Sequence, residues 1–374
     1  MVWDVASFRD ALRSKNQKQI AEIVSSQICI GSGGVNYQAN LDKSDYTLLM
    51  VAVDMGNETT VQLLLGSGAD PNIVGGEYGT ALVTAAYRKD YEMVHLLLNK
   101  GANVNITGGG DYGTALIAAT YRRHRETIQL LLEKGADVNT GGGTHGTALG
   151  AAVCCGYNEI VQLLLEKGAD INSNIGGGKY GTVLSAAAYY GHKEIVQLLL
   201  EKGADPNITG GRYNYNALAA AIHRLAVDDA RIISEELLEI VMSLLKAGAD
   251  PNTSYNFDWG RHHIDAMDTN YAYGSSEWSL LGVALQTCDV LAQGEYCATD
   301  PLASMLLDML RGGVEFNTLN LNAAYLTAVR DLAKRERGGE MVSLIFQKGR
   351  DVNKADGEYW TLLGRLCCRW IVRW

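Results

Sequence analysis

Short apolar stripes of two kinds alternate along most of this chain. One is built from small residues, the other from leucines. Residues 111–140 show the unit most clearly. Ala115, Leu116, Ala118 and Ala119 form a small-residue stripe that predicts a short helix able to lie close against a neighbour. Thr114 stands at its start, where a threonine hydroxyl satisfies an orphan backbone amide. Arg122 to Arg125 make a polar turn. A second, amphipathic helix is expected from about Glu126, with Ile128, Leu131 and Leu132 inward and Gln129, Glu133 and Lys134 towards water. Gly135 follows as the residue that takes the left-handed conformation closing the helix. Asn139 to Gly143 then cross to the next unit.

The unit recurs. The phrase Gly-Ala-Asp-Pro/Val-Asn or a close variant begins at Gly68, Gly101, Gly135, Gly168 and Gly203, at spacings of 33, 34, 33 and 35 residues. Thr47, Thr80, Thr114, Thr147 and Thr182 keep the same beat, each two residues before a leucine. A period near this length marks a stacked-repeat array, in which no unit buries its apolar face alone.

Thr-Ala-Leu-x-x-Ala, a polar turn, then Glu-Ile-Val-Gln-Leu-Leu-Leu-Glu-x-Gly-Ala-Asp-Val-Asn resembles the ankyrin repeat. That family usually places Pro after the threonine, whereas Ala81, Ala115, Ala148, Val183 and Ala217 stand here. The connecting segments also carry Gly-Gly, at Gly75-Gly76, Gly108-Gly109 and Gly176-Gly177. This variant, with Tyr-Gly-Thr-Ala-Leu, is similar to ankyrin arrays of large fungal proteins. The extra glycines are expected to loosen or reshape the hairpin tips. The resemblance implies an all-α ankyrin-repeat solenoid with short connecting hairpins, and the beat predicts that its C-terminal half is irregular. The phrase slips to a spacing of 45 at Gly248 and of 65 at Gly313.

The expected organisation is a degenerate N-terminal capping unit over 1–43, six repeats over 44–254, an aromatic and His-rich insert over 255–277, and degenerate repeats with a cap over 278–374. Trp360, Trp370 and Trp374 are placed at the exposed end of the stack, unless the native chain continues beyond them.

Composition narrows the partners. A net charge of -10 argues against a general nucleic-acid binder. No apolar run approaches the roughly 18 to 20 residues of a membrane span, and the first residues lack a signal-peptide pattern. Seven cysteines, an odd number without Cys-x-x-Cys spacing, fit a reduced intracellular setting, the cytoplasm or the nucleus. No cofactor or metal motif is present.

Nineteen tyrosines against four phenylalanines single out two rows. The first follows the small-residue helices: Asp54-Met55, Tyr87-Arg88, Tyr121-Arg122, Cys154-Cys155, Tyr189-Tyr190 and His223-Arg224. The second stands two residues before each repeat threonine, as Tyr78, Tyr112, His145 and Tyr180, extended by Tyr213 and Tyr215. The family geometry implies that the first row lines a concave face. Tyrosine and arginine are frequent interface anchors. The second row is equally explained by rings packing sideways inside a copied unit.

A protein-binding scaffold using Tyr87, Arg88, Tyr121, Arg122, Tyr189, Tyr190, Tyr213, Tyr215, His223, Arg224 and Trp259 is therefore the leading expectation. The alternative is a small-molecule binder or atypical enzyme, with an aromatic pocket closed by residues 254–277 over the fifth and sixth repeats. There His262, His263 or His223 would act as general base and Asp265 would orient an imidazole. A metal site of His223, His262 and Asp265 is a weaker variant. A purely architectural role is a third reading.

Overall fold

The computed structural model describes residues 5–28, 34–41, 44–108, 110–175, 180–211, 215–227 and 235–250. The insert at 255–277, the degenerate repeats at 278–374, and with them Trp259, His262, His263 and Asp265, lie outside the described residues, as does Tyr213. Two compact units are present, Met1–Gly178 and Lys179–Trp374.

The first unit opens with helices α1 (Val5–Arg13) and α2 (Gln17–Ile28). A two-stranded antiparallel hairpin follows, β1 (Ala39–Leu41) with β2 (Ser44–Tyr46), pairing Ala39 with Tyr46 and Asn40 with Asp45. Four helix pairs come next: α3 (Leu48–Asp54) with α4 (Glu58–Gly66), α5 (Ala81–Arg88) with α6 (Tyr91–Asn99), α7 (Ala115–Tyr121) with α8 (Arg125–Glu133), and α9 (Ala148–Cys154) with α10 (Asn158–Glu166). Helices α1, α3, α5, α7 and α9 pack in that order to form the inner row. The second unit holds two described pairs, α11 (Val183–Tyr190) with α12 (Lys193–Glu201) and α13 (Ala217–Val227) with α14 (Glu235–Lys246). There α11 lies on α13 and α12 on α14.

The inner helices are short and almost wholly buried, from Ala115 to Thr120 in α7, for example. Their small side chains allow this, since a close approach needs little between the axes. Each start is capped in the same way. The hydroxyls of Thr47, Thr80, Thr114, Thr147 and Thr182 accept from the amide three residues on, at 3.1 to 3.3 Å. In the sixth pair Asn216 takes over, its Oδ1 accepting from the Ala219 amide at 2.8 Å.

The outer helices bury one face. In α8 that face is Thr127, Ile128, Leu130 and Leu131. Leu130 takes the place expected for Leu132, because the buried face is carried by adjacent pairs three apart, Thr127-Ile128 and Leu130-Leu131. Each outer helix closes on the phrase glycine. Gly135, at φ 84°, lets the Ala136 amide turn back to the Leu131 carbonyl at 2.9 Å. Gly68, Gly101, Gly168, Gly203 and Gly248 repeat this at φ 86° to 90°.

The rest of the phrase joins one unit to the next. Asp70, Asn103, Asp137, Asp170 and Asp205 each accept from the amide two residues on, at 2.9 to 3.0 Å, fixing a tight turn. The asparagine so placed then reaches the following unit. Asn105 donates through Nδ2 to the Gly135 carbonyl at 3.1 Å and accepts through Oδ1 from the Asp137 amide at 2.8 Å. Asn72 and Asn139 do the same one unit before and after. In the second unit Asn207 makes the pair with Gly248 and Asp250 at 3.0 and 2.6 Å.

Of the two expectations for the inserted glycines, the tips are reshaped by tightening and not loosened. The Gly76 amide donates to the Asp45 carbonyl of the preceding tip at 2.6 Å, and the Thr144 amide to that of Asp111 at 2.8 Å. A Cβ on Gly108 would stand 2.6 Å from the Gly79 Cα, and one on Gly113 would stand 2.5 Å from the Gly142 carbonyl carbon. Main chain lies on main chain there, so absence of a side chain is what permits the stack.

Candidate functional site

The two sequence rows converge into one. In the second to fifth tips an aromatic residue, Tyr78, Tyr112, His145 or Tyr180, precedes a glycine and then the capping threonine. Gly79, Gly113 and Gly146 have positive φ, of 102°, 65° and 69°. The Thr114 amide bonds back to the Tyr112 carbonyl at 2.7 Å, and that of Thr147 to the His145 carbonyl at 2.8 Å. This sharp bend directs the ring back along the inner helix, where the tyrosine closing that helix meets it.

In the first unit the rings interleave as Tyr78, Tyr87, Tyr112, Tyr121 and His145, with successive centroids 4.8, 4.6, 5.2 and 5.1 Å apart. All five are half-buried. Such pairs add about 0.5 to 1.5 kcal/mol each beyond their burial, so the row is held in place before any partner arrives. Burial raises the Tyr78 and Tyr112 phenols above their ordinary range and lowers the His145 imidazole below its own. Burial therefore favours the neutral forms of Tyr78, Tyr112 and His145 at neutral pH.

Cations sit beside it. The Arg122 guanidinium lies 4.8 Å over the Tyr87 ring and that of Arg123 5.3 Å over Tyr157. Tyr157 also donates to the Tyr121 carbonyl at 3.4 Å. Arg88 is engaged within the fold, through Nε and Nη2 to Asp54 Oδ1 at 2.9 and 2.7 Å. Arg9 approaches the same carboxylate at 3.6 Å and lies 5.4 Å over Tyr46. Asp54 belongs to the first row, whereas Arg9 and Tyr46 were not among the expected residues. The signal lay in Asp54 occupying the position equivalent to Tyr87 while an arginine ends the next helix.

The second unit carries its own short row. Tyr180 stacks on Tyr189 at 4.0 Å, and Tyr189 stands 5.7 Å from His223. Arg224 lies 5.8 Å over Tyr189. Tyr190 is exposed and meets Tyr189 edge-on at 5.4 Å. Tyr215, expected as part of the binding face, is fully buried with its ring 5.1 Å from His223, itself buried. The Gly210–Tyr215 bridge draws Tyr215 into the core.

Little here supports catalysis. Burial pushes the Cys154 thiol up to about 12 and raises that of Cys155, so neither supplies a thiolate near neutrality. No group of three His, Cys, Asp or Glu among the described residues could hold a metal ion. Of the proposed catalytic set, only His223 is described.

Family comparisons coincide with this geometry. Residues 49–98 match the profile for ankyrin repeats (many copies), 82–175 that for ankyrin repeats (3 copies), and 181–211 that for a single ankyrin repeat. Residues 49–175 and 181–211 are thus built of ankyrin repeats. The fold is the all-α ankyrin-repeat solenoid, in which the aromatic rows lie on the inner helices and their hairpins.

The chain is 48% identical over 62 residues to an ankyrin repeat-containing protein of Treponema pallidum (strain Nichols), matching 17% of this chain and 21% of that one. It is 38% identical over 79 residues to Protein PhlB of Serratia liquefaciens, matching 20% of this chain and 35% of that one. The chain thus spans about a fifth and a third of these relatives. Both are bacterial, so the likeness is to ankyrin repeats in general and not to fungal arrays specifically. Among solved structures, the ankyrin repeat domain of Bcl-3, titled a unique member of the IkappaB protein family, is similar with a TM-score of 0.48 and 25% identity, over 63% of this chain and 97% of that one. Among the described residues, no helix is long and apolar enough to cross a membrane.

Proposed function

We propose that this chain is a protein-binding scaffold whose first unit recognises a partner through the interleaved row Tyr78, Tyr87, Tyr112, Tyr121 and His145. The observation carrying this reading is the row itself, five half-buried rings held by one another with an exposed guanidinium on Tyr87. Rings already immobilised lose little side-chain entropy on binding. They also offer broad contact area with polar tips. The odd number of cysteines supports work in a reducing compartment of the cell.

The test is peptide selection by surface display against the full chain, followed by affinity measurements on Arg122→Glu, Tyr121→Ser and a control, Tyr91→Ser. Tyr91 starts outer helix α6, is exposed, and stands apart from the row against His95. Selected peptides should bind at least about tenfold more weakly to the two row variants, a loss of roughly 1.4 kcal/mol, and equally well to the control. Equal binding to all three variants sinks the proposal.

A further inference from the structure

Among the described residues, only three non-glycine residues have positive φ: Lys15 at 51°, Lys89 at 62° and Arg123 at 54°. All three are cations. Each stands in the turn between an inner and an outer helix, and each is exposed. The corresponding turn residues elsewhere in the first unit are glycines, Gly56 at φ 64° and Gly156 at 72°. Glycine adopts this conformation freely, whereas a side chain makes it costly. Basic residues thus occupy strained positions that the neighbouring copies leave to glycine, and such strain recurs at functional sites.

Arg123 lies over the Tyr157 ring, a contact that leaves it charged, and Lys15 and Lys89 carry their charges at exposed positions. Nearby acids are engaged elsewhere: Asp54 with Arg88 and Arg9, Asp90 with the Met93 amide, Glu126 with His124, and Glu159 with Arg125. No acid pairs with Lys15, Lys89 or Arg123 among the described residues. Lys89 directly follows Arg88, and Arg123 follows Arg122, so these cations border the tyrosine row in two consecutive repeats. A basic edge in a chain of net charge -10 is a local departure from its own field.

We infer that the turn cations Lys89 and Arg123 recognise an extended acidic polypeptide segment lying along the tyrosine row. This rests on the scaffold reading above and adds the partner's chemistry. Packed helices stand about 8 to 10 Å apart, and a segment in the extended polyproline conformation advances about 3.1 Å per residue and returns to the same face at every third one. One repeat therefore matches three residues of the segment, so its carboxylates should recur at every third position. Nucleic acid is disfavoured as the occupant by the overall negative charge.

The neighbouring copies supply the substitution. Lys89→Gly, Arg123→Gly and the double variant place in these turns the residue already found at Gly56 and Gly156. A labelled dodecapeptide with aspartate at every third position, a permuted peptide with its aspartates adjacent, and a single-stranded oligonucleotide are titrated into the full chain by fluorescence anisotropy. The spaced peptide should bind best, and the double variant should weaken it at least about tenfold. Melting temperature should stay within about 4 °C of the parent, since strain relief and lost side-chain contacts oppose each other.

Undiminished binding by the double variant overturns the inference, as does a preference for the oligonucleotide or the permuted peptide. So does a large fall in melting temperature with binding retained, which would make the cations helix-terminal stabilisers only. If display-selected peptides bind the tyrosine row but ignore both glycine substitutions, the acidic-segment inference fails while the scaffold reading stands. If row substitutions also have no effect, the scaffold reading fails with it.

Discussion

Gly135 and Gly113 are both glycines at positive φ, yet different constraints hold them. Nothing lies within 4 Å of a Cβ added at Gly135. Gly135→Ala should therefore cost only the left-handed conformation, about 1 to 2 kcal/mol. At Gly113 the added carbon meets the main chain of the next tip at 2.5 Å, and that main chain is itself hydrogen-bonded. Gly113→Ala should cost more than Gly135→Ala, and urea unfolding of the two variants compares them directly. A larger loss at Gly135 would contradict the tight tips.

His145 gives a residue-scale pH dependence. Its folded pKa is lowered by burial, although Asp111 opposes the shift. The unfolded chain then binds the proton more readily, near pH 6.5. Stability from the neutral ring is complete above that value and is lost as pH falls towards the folded pKa. Unfolding between pH 7.5 and 5 should show this slope, and His145→Phe should flatten it.

At the scale of elements, the asparagine rungs make the most specific claim. Asn105→Ala removes two hydrogen bonds between successive units, worth about 1 kcal/mol each. Amide exchange at Asp137 should accelerate, while the capped start of α7, resting on Thr114, stays protected. The threonine caps and helix-ending glycines were legible in the sequence because each acts within a few residues of itself. The rungs were not. Asn105 and its partners are some thirty residues apart, a separation that a repeat reproduces everywhere whether or not it carries a contact.

Other departures have equally local causes. Leu130 faces inward where Leu132 was expected, because a leucine run gives no contrast from which to read a helix register. Whether the glycine tips would loosen or reshape was not legible, since flexibility belongs to the residue alone while close approach belongs to its neighbour. Both tyrosine rows were visible, but their interleaving was not. It depends on the bend at Gly113 and its counterparts, which the spacing does not encode. The buried Tyr215 differs from its counterparts in the same way, through the bridge to Gly210.

Over the whole molecule, stability in such a stack is approximately a sum of intrinsic terms and nearest-neighbour terms. Weakening one junction inside the first unit should therefore divide its unfolding. Asn105→Ala combined with Gly113→Ala touches junctions on the same repeat. Its urea transition should broaden, with a lower apparent m-value than either single variant, because the helix pairs on each side no longer unfold together.

The rungs also bear on how such a chain changes over generations. Asn72, Asn105 and Asn139 address main-chain atoms of the following copy, the glycine carbonyl and the amide two residues on. Every residue but proline possesses those atoms. A copy duplicated or deleted by unequal recombination presents its neighbour with the same joint, even after its surface has diverged. Asn207 shows the tolerance at work. Its partner carbonyl lies 41 residues away, against 29 for Asn72, yet the joint has the same geometry. The intervening length is free to vary, and the lineage can revise what a repeat displays without renegotiating how it is attached.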